Sequence, residues 1–253
     1  MTKSKYMDVE DLEVRDLTHN RPPEEKYKLG SQARLSSNLA APKKTFENLS
    51  YEKQERITRA AMEEFGQKGY GGASINVIVQ SLGIAKGSIF QYFGDKKGLF
   101  LFVFSHCMEQ VKDYLRKTRD ATKDQDLFTR LETTMIAGVN FIRKHPFIYR
   151  FYMKILYEPS IPFRDEILLS IRRYSFDYLK SLLETAKTRS EISSDLNISQ
   201  AAFLLDAVMD RFLQTQTIEH LDAGLGLFQC EQKEAEKWAA GLIGILRTGL
   251  YTK

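Results

Sequence analysis

The chain has 253 residues, of which 43% are hydrophobic, 28% charged and 11% aromatic, with a formal net charge of +4. That is a globular composition, and its mild positive charge does not by itself imply nucleic acid. Two cysteines without CxxC spacing, Cys107 and Cys230, exclude a disulfide framework and a cysteine metal site. They read as reduced thiols in a cytoplasmic protein. The longest strongly apolar helix face, Trp238 to Leu250, falls short of the about 20 residues of a membrane span, and the polar start lacks a signal-peptide core, so no membrane partner is expected.

Residues 1–49 are polar, contain Pro22-Pro23 and show no clean period. They read as a flexible extension with a short helix near Val9 to Leu17. Lys43 and Lys44 close this arm; such a basic arm can enter a DNA minor groove, although a solvated tail is the plainer reading.

Beyond residue 49 the dominant rhythm is apolar residues at i, i+3, i+4 and i+7, which predicts an all-α protein. Ser50 caps a first helix with the stripe Ile57, Ala60, Ala61, Phe65, and Gly69 stops it. Ser74 opens a second helix that buries Ile75, Ile78, Val79 and Leu82 and ends at Gly83. A third follows from near Ala85 to Phe93. Gly94 and Asp95 break it, and Asp95 caps a long fourth helix from Lys96.

Two short helices joined through a glycine form a helix-turn-helix signature. With Ile84, Ile89 and Phe93 toward the core, the opposite side of the third helix carries Lys86, Gly87, Ser88, Gln91 and Tyr92. Lysine neutralises phosphate, serine and glutamine hydrogen-bond base edges or phosphates, glycine permits close backbone approach, and tyrosine offers a ring and a hydroxyl. Gln67 to Gly98 holds four lysines against one acid, Asp95, so the mild net charge is concentrated here. Lys96 sits in a first helical turn, where free N–H groups also attract phosphate.

These residues resemble the TetR family of bacterial transcriptional regulators. The pattern runs from Arg56 to about Phe104: an Ile-x-x-Ala-Ala-x-x-x-Phe first helix, Gly69-Tyr70, Ser74, then "GIAKGSIFQYF" from Gly83 to Phe93 and Asp95-Lys96. The resemblance implies that Ser74 touches a phosphate, that Lys86, Gly87, Ser88, Gln91 and Tyr92 line the DNA face, and that Lys96 holds a phosphate. Phe90 stands where the family usually has a backbone-contacting tyrosine and lacks its hydroxyl. Val79 replaces a usual alanine at the helix crossing, and Ala85 is a weaker cap than the usual serine.

The remainder, 99–253, reads as a helical ligand-binding and dimerisation domain, giving about nine helices with the helix-turn-helix domain at 50–98. Helices are expected over about Leu127 to Lys144, from Pro146 through Ile155, and to about Thr188 after a loop marked by Pro159 and Pro162. A polar connector follows, with Asp195 or Ser199 as caps. The last two helices carry Leu204, Leu205, Val208 and Phe212, then Trp238, Leu242 and Ile245, with a small-residue row at Ala240, Gly244 and Thr248. Two strongly apolar helices after enough others to make a core favour a homodimer interface, which the resemblance also implies. Met135, Phe151, Tyr174, Tyr178 and Met209 are candidates to line a pocket for a small hydrophobic or amphipathic effector, though each also suits plain core.

No GxSxG, HExxH or phosphate-loop lysine occurs, and no nucleophile meets a base, so no enzyme and no cofactor is expected. Asp206, Asp210 and His220 are thin grounds for a metal; carboxylates that are capped, solvated or paired with Arg211 are the plainer reading. The expected function is a dimeric regulator of an inverted-repeat operator on double-stranded DNA, a repressor if it follows the family's commoner mode, released by a mostly apolar ligand. The alternatives are a DNA-binding protein of the same fold acting through a protein partner in chromosome or division control, and a helical binding protein with a vestigial DNA face.

Overall fold

The computed structural model describes residues 42–161 and 163–249, which form ten α-helices and no strand. The expected helix near Val9 and the loop residue Pro162 lie outside the described residues. The first ordered element is one that periodicity did not reveal: α1, Lys44–Glu47. Its Phe46 is only 2% exposed, in van der Waals company with Tyr92, Phe93 and Phe102 at ring-centroid distances of 5.8, 4.8 and 5.0 Å. The flexible reading of residues 1–49 therefore does not hold for 42–49. A single buried aromatic, without periodic neighbours, anchors this stretch.

Helix α2, Tyr51–Gly72, follows Ser50 and buries Ile57, Ala61 and Phe65. Gly69 interrupts it at φ 68°, a conformation that only glycine adopts without strain. Helix α3, Ile75–Leu82, ends at Gly83 in the left-handed region, φ 66° and ψ 34°, and α4, Lys86–Phe93, begins at once. Arg56 reaches from α2 to the Leu82 carbonyl at 3.4 Å, so the end of α3 is tied to its neighbour.

Helix α5, Lys96–Ala121, is capped by Asp95, whose carboxylate accepts from the Gly98 N–H at 2.7 Å. Gly98 is obligatory: a Cβ there would stand 2.0 Å from the Phe93 carbonyl oxygen. Helix α6, Leu127–Lys144, is capped by Asp126, and α7, Pro146–Tyr157, opens on its proline. Helix α8 spans Arg164–Thr188, α9 Ile198–Thr215 and α10 Gln232–Thr248. The cap of α9 is Asn197, which accepts from the Gln200 N–H at 3.1 Å, in place of the expected Asp195 or Ser199. Asn197 immediately precedes the first helical residue, and only that position presents a side-chain oxygen to the free N–H groups.

Two buried clusters divide the described residues. One joins α1–α5 to α7 and the start of α8 through Phe65, Ile89, Phe100, Phe151 and Phe163. The other packs α6, α8, α9 and α10 around Leu131, Met135, Leu182 and Phe212. The helix-turn-helix unit thus shares its core with α7. At Gly66 the two helices approach so closely that a Cβ would meet the Phe147 carbonyl oxygen at 3.3 Å. Among the described residues no helix is long and apolar enough to cross a membrane.

Candidate functional site: a helix-turn-helix face and an interior cavity

Helix α4 divides as its periodicity requires. Ile89 and Phe93 are buried, while Lys86, Gly87, Phe90 and Gln91 are exposed and Ser88 is half-buried. The Lys86 ammonium lies 6.0 Å from the Phe90 ring centroid, so the apolar ring exposed on this face carries a cation above it. No Cβ at Gly87 would meet anything within 4 Å, leaving the backbone open to approach.

Tyr92 is placed differently from expectation. It flanks the buried side, edge-on to Phe46 and 6.2 Å from Phe93, and is half-buried. At about 100° per residue, position 92 adjoins position 93 and is drawn inward once α1 docks on it. The same strap satisfies the end of α4. Lys43 donates its N–H to the Tyr92 carbonyl at 2.9 Å, and Thr45 Oγ1 donates to the Gln91 carbonyl at 3.2 Å. Those carbonyls have no partner within a helix that stops there. Lys43 and Lys44 are consequently fixed, exposed, beside the end of α4.

Ser74 precedes α3, donates its N–H to Glu64 Oε1 at 2.9 Å and makes no capping bond with its side chain. Lys96 donates to the Gly71 carbonyl at 3.3 Å and lies 5.0 Å from the Tyr70 ring centroid. It is therefore held at the α2–α3 junction.

A cavity of about 230 Å³ is lined by residues of α5, α6, α7, α8 and α9. Its walls are mostly apolar, including Phe104, Met108, Val111, Phe141 and Ile155. Of the sequence candidates, Phe151, Tyr174, Tyr178 and Met209 line it and Met135 does not. Met135 is fully buried in the second core cluster, while Thr134 beside it turns to the cavity and meets the Tyr178 hydroxyl at 3.3 Å. Neighbouring helical positions point about 100° apart, so only one of the two can face the space.

One end of the cavity is polar. Arg172 of α8 spans two carboxylates of α9, with Nη1 3.4 Å from Asp206 and Nη2 2.9 Å from Asp210. Tyr152 of α7 donates to Asp210 at 3.1 Å and receives a bond from Arg172; Ser175 donates to Asp206, and Gln214 to Asp210 at 2.9 Å. Burial, then the nearby Asp210 charge, pushes the Tyr152 hydroxyl well above its ordinary range. The aspartates pair with Arg172, not with Arg211, which donates to the Leu221 carbonyl. Among the described residues no group of three or more His, Cys, Asp or Glu is arranged to hold a metal.

Residues 57–103 match the profile of the bacterial regulatory proteins of the tetR family, and residues 125–251, half of the chain, match that of the tetracyclin repressor-like C-terminal domain. The chain belongs to the TetR family of transcriptional regulators. A TetR family regulator from Chloroflexus aurantiacus is 32% identical, with 83% of this chain covering 98% of that one at a TM-score of 0.63. The probable acrEF/envCD operon repressor of Escherichia coli K12 is 23% identical over 64% of this chain and 74% of its own length. The regulator FadR of Bacillus subtilis, solved in complex with stearoyl-CoA, shares the fold at 16% identity, 78% and 99% coverage and a TM-score of 0.62.

Within this TetR-family chain the expected dimer residues separate into two sets. Leu205 and Phe212 are buried inside the subunit, where with Met209 they form the i, i+4, i+7 stripe of α9 against α8 and α6. Val208, Trp238 and Leu242 are half-buried, and only Leu204 and Ile245 are exposed, at 52% and 49%. Phe203, which the sequence reading missed, is 71% exposed. Helix α9 is apolar on more than one side, and such a helix does not disclose from sequence which side meets its own subunit. Arg172, Tyr149, Tyr152 and Glu158 were also missed. The signal for the tyrosines was a helix, "PFIYRFYMKILY", whose aromatic content exceeds the needs of a one-sided core stripe.

Proposed function

We propose that this TetR-family regulator binds an inverted-repeat operator as a homodimer and is released from it by a small, mostly apolar effector held in the α5–α9 cavity. The observation that carries the reading is the double role of Phe151. Its ring belongs to the cavity wall and lies 6.4 Å from Phe65 of α2, inside the core of the helix-turn-helix unit. An occupant that displaces α7 therefore acts on the helix on which α3 and α4 are mounted, and packed cores switch between discrete arrangements.

The exposed Lys86, Gly87, Phe90 and Gln91, with the half-buried Ser88, supply phosphate neutralisation and base-edge hydrogen bonding on α4. Ser74, Tyr92 and Lys96, together with Lys43 and Lys44, flank that face. The exposed Phe203, Leu204 and Ile245 are apolar surface that a second copy would cover, and Gly241 and Gly244 of α10 leave open space for close helix approach. A dimer sets two recognition helices about 34 Å apart, one turn of B-DNA. The FadR complex with stearoyl-CoA supports the capacity of this fold to bind a ligand that carries a long acyl chain.

The test is selection of bound duplexes from a random DNA pool at moderate salt. An enriched inverted repeat is expected. Salt-sensitive binding without any enriched sequence would overturn the operator reading and favour action through a protein partner.

A further inference from the structure

The charged side chains in the cavity wall are Arg172, Asp206 and Asp210: one guanidinium faces two carboxylates. Arg172 has both terminal nitrogens engaged with those aspartates, so no cation is left for an anionic head group. Asp210 is the more heavily used, accepting from Tyr152, Arg172 and Gln214. Asp206 is not: it accepts from Ser175, and its other oxygen has only Arg172 at 3.4 Å. A carboxylate has about four acceptor positions, so Asp206 retains capacity.

An independent observation marks the same end of the cavity. Tyr149 lines it and is 8% exposed, yet its buried hydroxyl has no hydrogen-bond partner. Burial, and after it the charge of Asp210, pushes this hydroxyl far above its ordinary range, which keeps it a neutral phenol near the acidic pair. A buried polar atom without a partner is costly, and a ligand that supplies the partner removes that cost. The Tyr149 and Tyr152 rings stand 5.6 Å apart at this end, where the Arg172 guanidinium already lies 5.9 Å from the Tyr152 centroid, a cation held against an aromatic ring.

We infer that the effector is a cationic amphiphile: a protonated amine on an apolar body, its head seated between the Tyr149 hydroxyl and Asp206 and its body along Met108, Val111, Leu115 and Ile142. The inference rests on the effector reading above and specifies its chemistry. An ammonium brings up to three donors and no acceptor, which matches an unpaired hydroxyl oxygen and an under-used carboxylate. It also neutralises the excess negative charge of the wall. A carboxylate or phosphate head could accept from the Tyr149 hydroxyl, but it would face the like charge of two aspartates whose one arginine is already engaged.

The experiment is calorimetric titration of the full chain at pH 7.5 with decylamine, decanol and decanoate, which share a tail and differ in head charge, each kept below its micellar concentration. Decylamine is expected to bind at one site per chain, at least about tenfold more tightly than the other two, as a charge-assisted hydrogen bond in a partly dry site implies. Tyr149→Phe is expected to weaken decylamine about threefold to tenfold without lowering the melting temperature, because the deleted hydroxyl has no partner within the protein. Equal or tighter binding of decanol or decanoate overturns the cationic class while leaving the effector reading standing. Preference for decylamine that Tyr149→Phe leaves unchanged overturns the placement of the head. Binding of none of the three overturns both the inference and the effector reading.

Discussion

Glu158, the cap residue of α7, accepts a hydrogen bond from the Gly71 N–H of α2 at 3.0 Å, joining the cavity wall to the helix-turn-helix unit across 87 residues of sequence. Its carboxylate also accepts from Ser160, and it occupies the space beside Gly69, where a Cβ would stand 1.7 Å from Oε2. Lys96 holds the Gly71 carbonyl from the other side. Gly71 is therefore gripped by α7 through its N–H and by α5 through its carbonyl.

Glu158→Ala removes the α7 half of that grip. A loss of about 1 kcal/mol in stability is expected, the net worth of a partly exposed hydrogen bond to a charged group. Titrations of DNA binding with and without saturating effector should show a larger effect on the coupling between the two ligands than on either affinity alone. Unchanged coupling in the variant would rule out this contact as a route of transmission.

On the DNA face, Lys86→Ala should weaken binding to all sequences and reduce the slope of log K against log salt by about one. Gln91→Ala should instead relax preference at one position of each half-site, costing about 1–3 kcal/mol there. Competition binding at several salt concentrations separates the two. Parental behaviour in both variants would mean that α4 is not the reading helix.

Phe46 fastens α1 to the end of α4, and Phe46→Ala empties a space lined by three aromatic rings. A cost of about 3–5 kcal/mol follows from the usual penalty for deleting a buried phenyl ring. The Lys43 and Thr45 bonds to the α4 carbonyls should go with it, so hydrogen exchange at the C-terminal end of α4 is expected to rise more than in α3. Uniform exchange across both helices would deny the strap its local role.

Two residues of α9 only two positions apart should respond oppositely to charge. Phe203→Glu is expected to give a folded monomer in sedimentation, because its ring is 71% exposed in the subunit. Leu205→Glu should prevent folding, since an unpaired carboxylate would enter the second core. An unaltered association state in Phe203→Glu, with Leu204→Glu equally silent, would exclude this side of α9 from the dimer contact.

Stability should fall in acid and again in strong base. Burial holds His106 below its ordinary value of 6.5, against an upward pull from Glu55; burial and Lys144 lower His145 as well. Below pH 6.5 the unfolded chain binds protons that the folded chain refuses, so stability is complete above that value and declines beneath it, by up to ~1.4 kcal/mol per pH unit for each histidine. Burial pushes the Cys107 thiol from 9.0 up to about 12, so above pH 9 the unfolded chain releases its proton first and stability declines again. Urea denaturation from pH 5 to pH 10 measures both limbs; a maximum on the acid side of 6.5 would contradict the histidine assignment.

The sequence by itself determined the helices after α1 and the helix-turn-helix. Leu127–Lys144 was legible at both ends because Asp126 and Pro146 bracket a 3.6-residue period, and the α3–α4 turn was legible because Gly83 alone tolerates φ 66° there. These signals are local, carried by residues within one turn of each other. Only the tertiary structure decided that Phe46 belongs to the core, that Tyr92 flanks it, that Thr134 and not Met135 faces the cavity, and that Leu205 turns inward while Leu204 stays outside. It also brought Arg172 to Asp206 and Asp210 and left the Tyr149 hydroxyl without a partner among them. Periodicity gives the angle between side chains on one helix, but not which neighbouring helix each angle meets. That depends on contacts between residues far apart in sequence, such as Glu158 and Gly71, where no local rule applies.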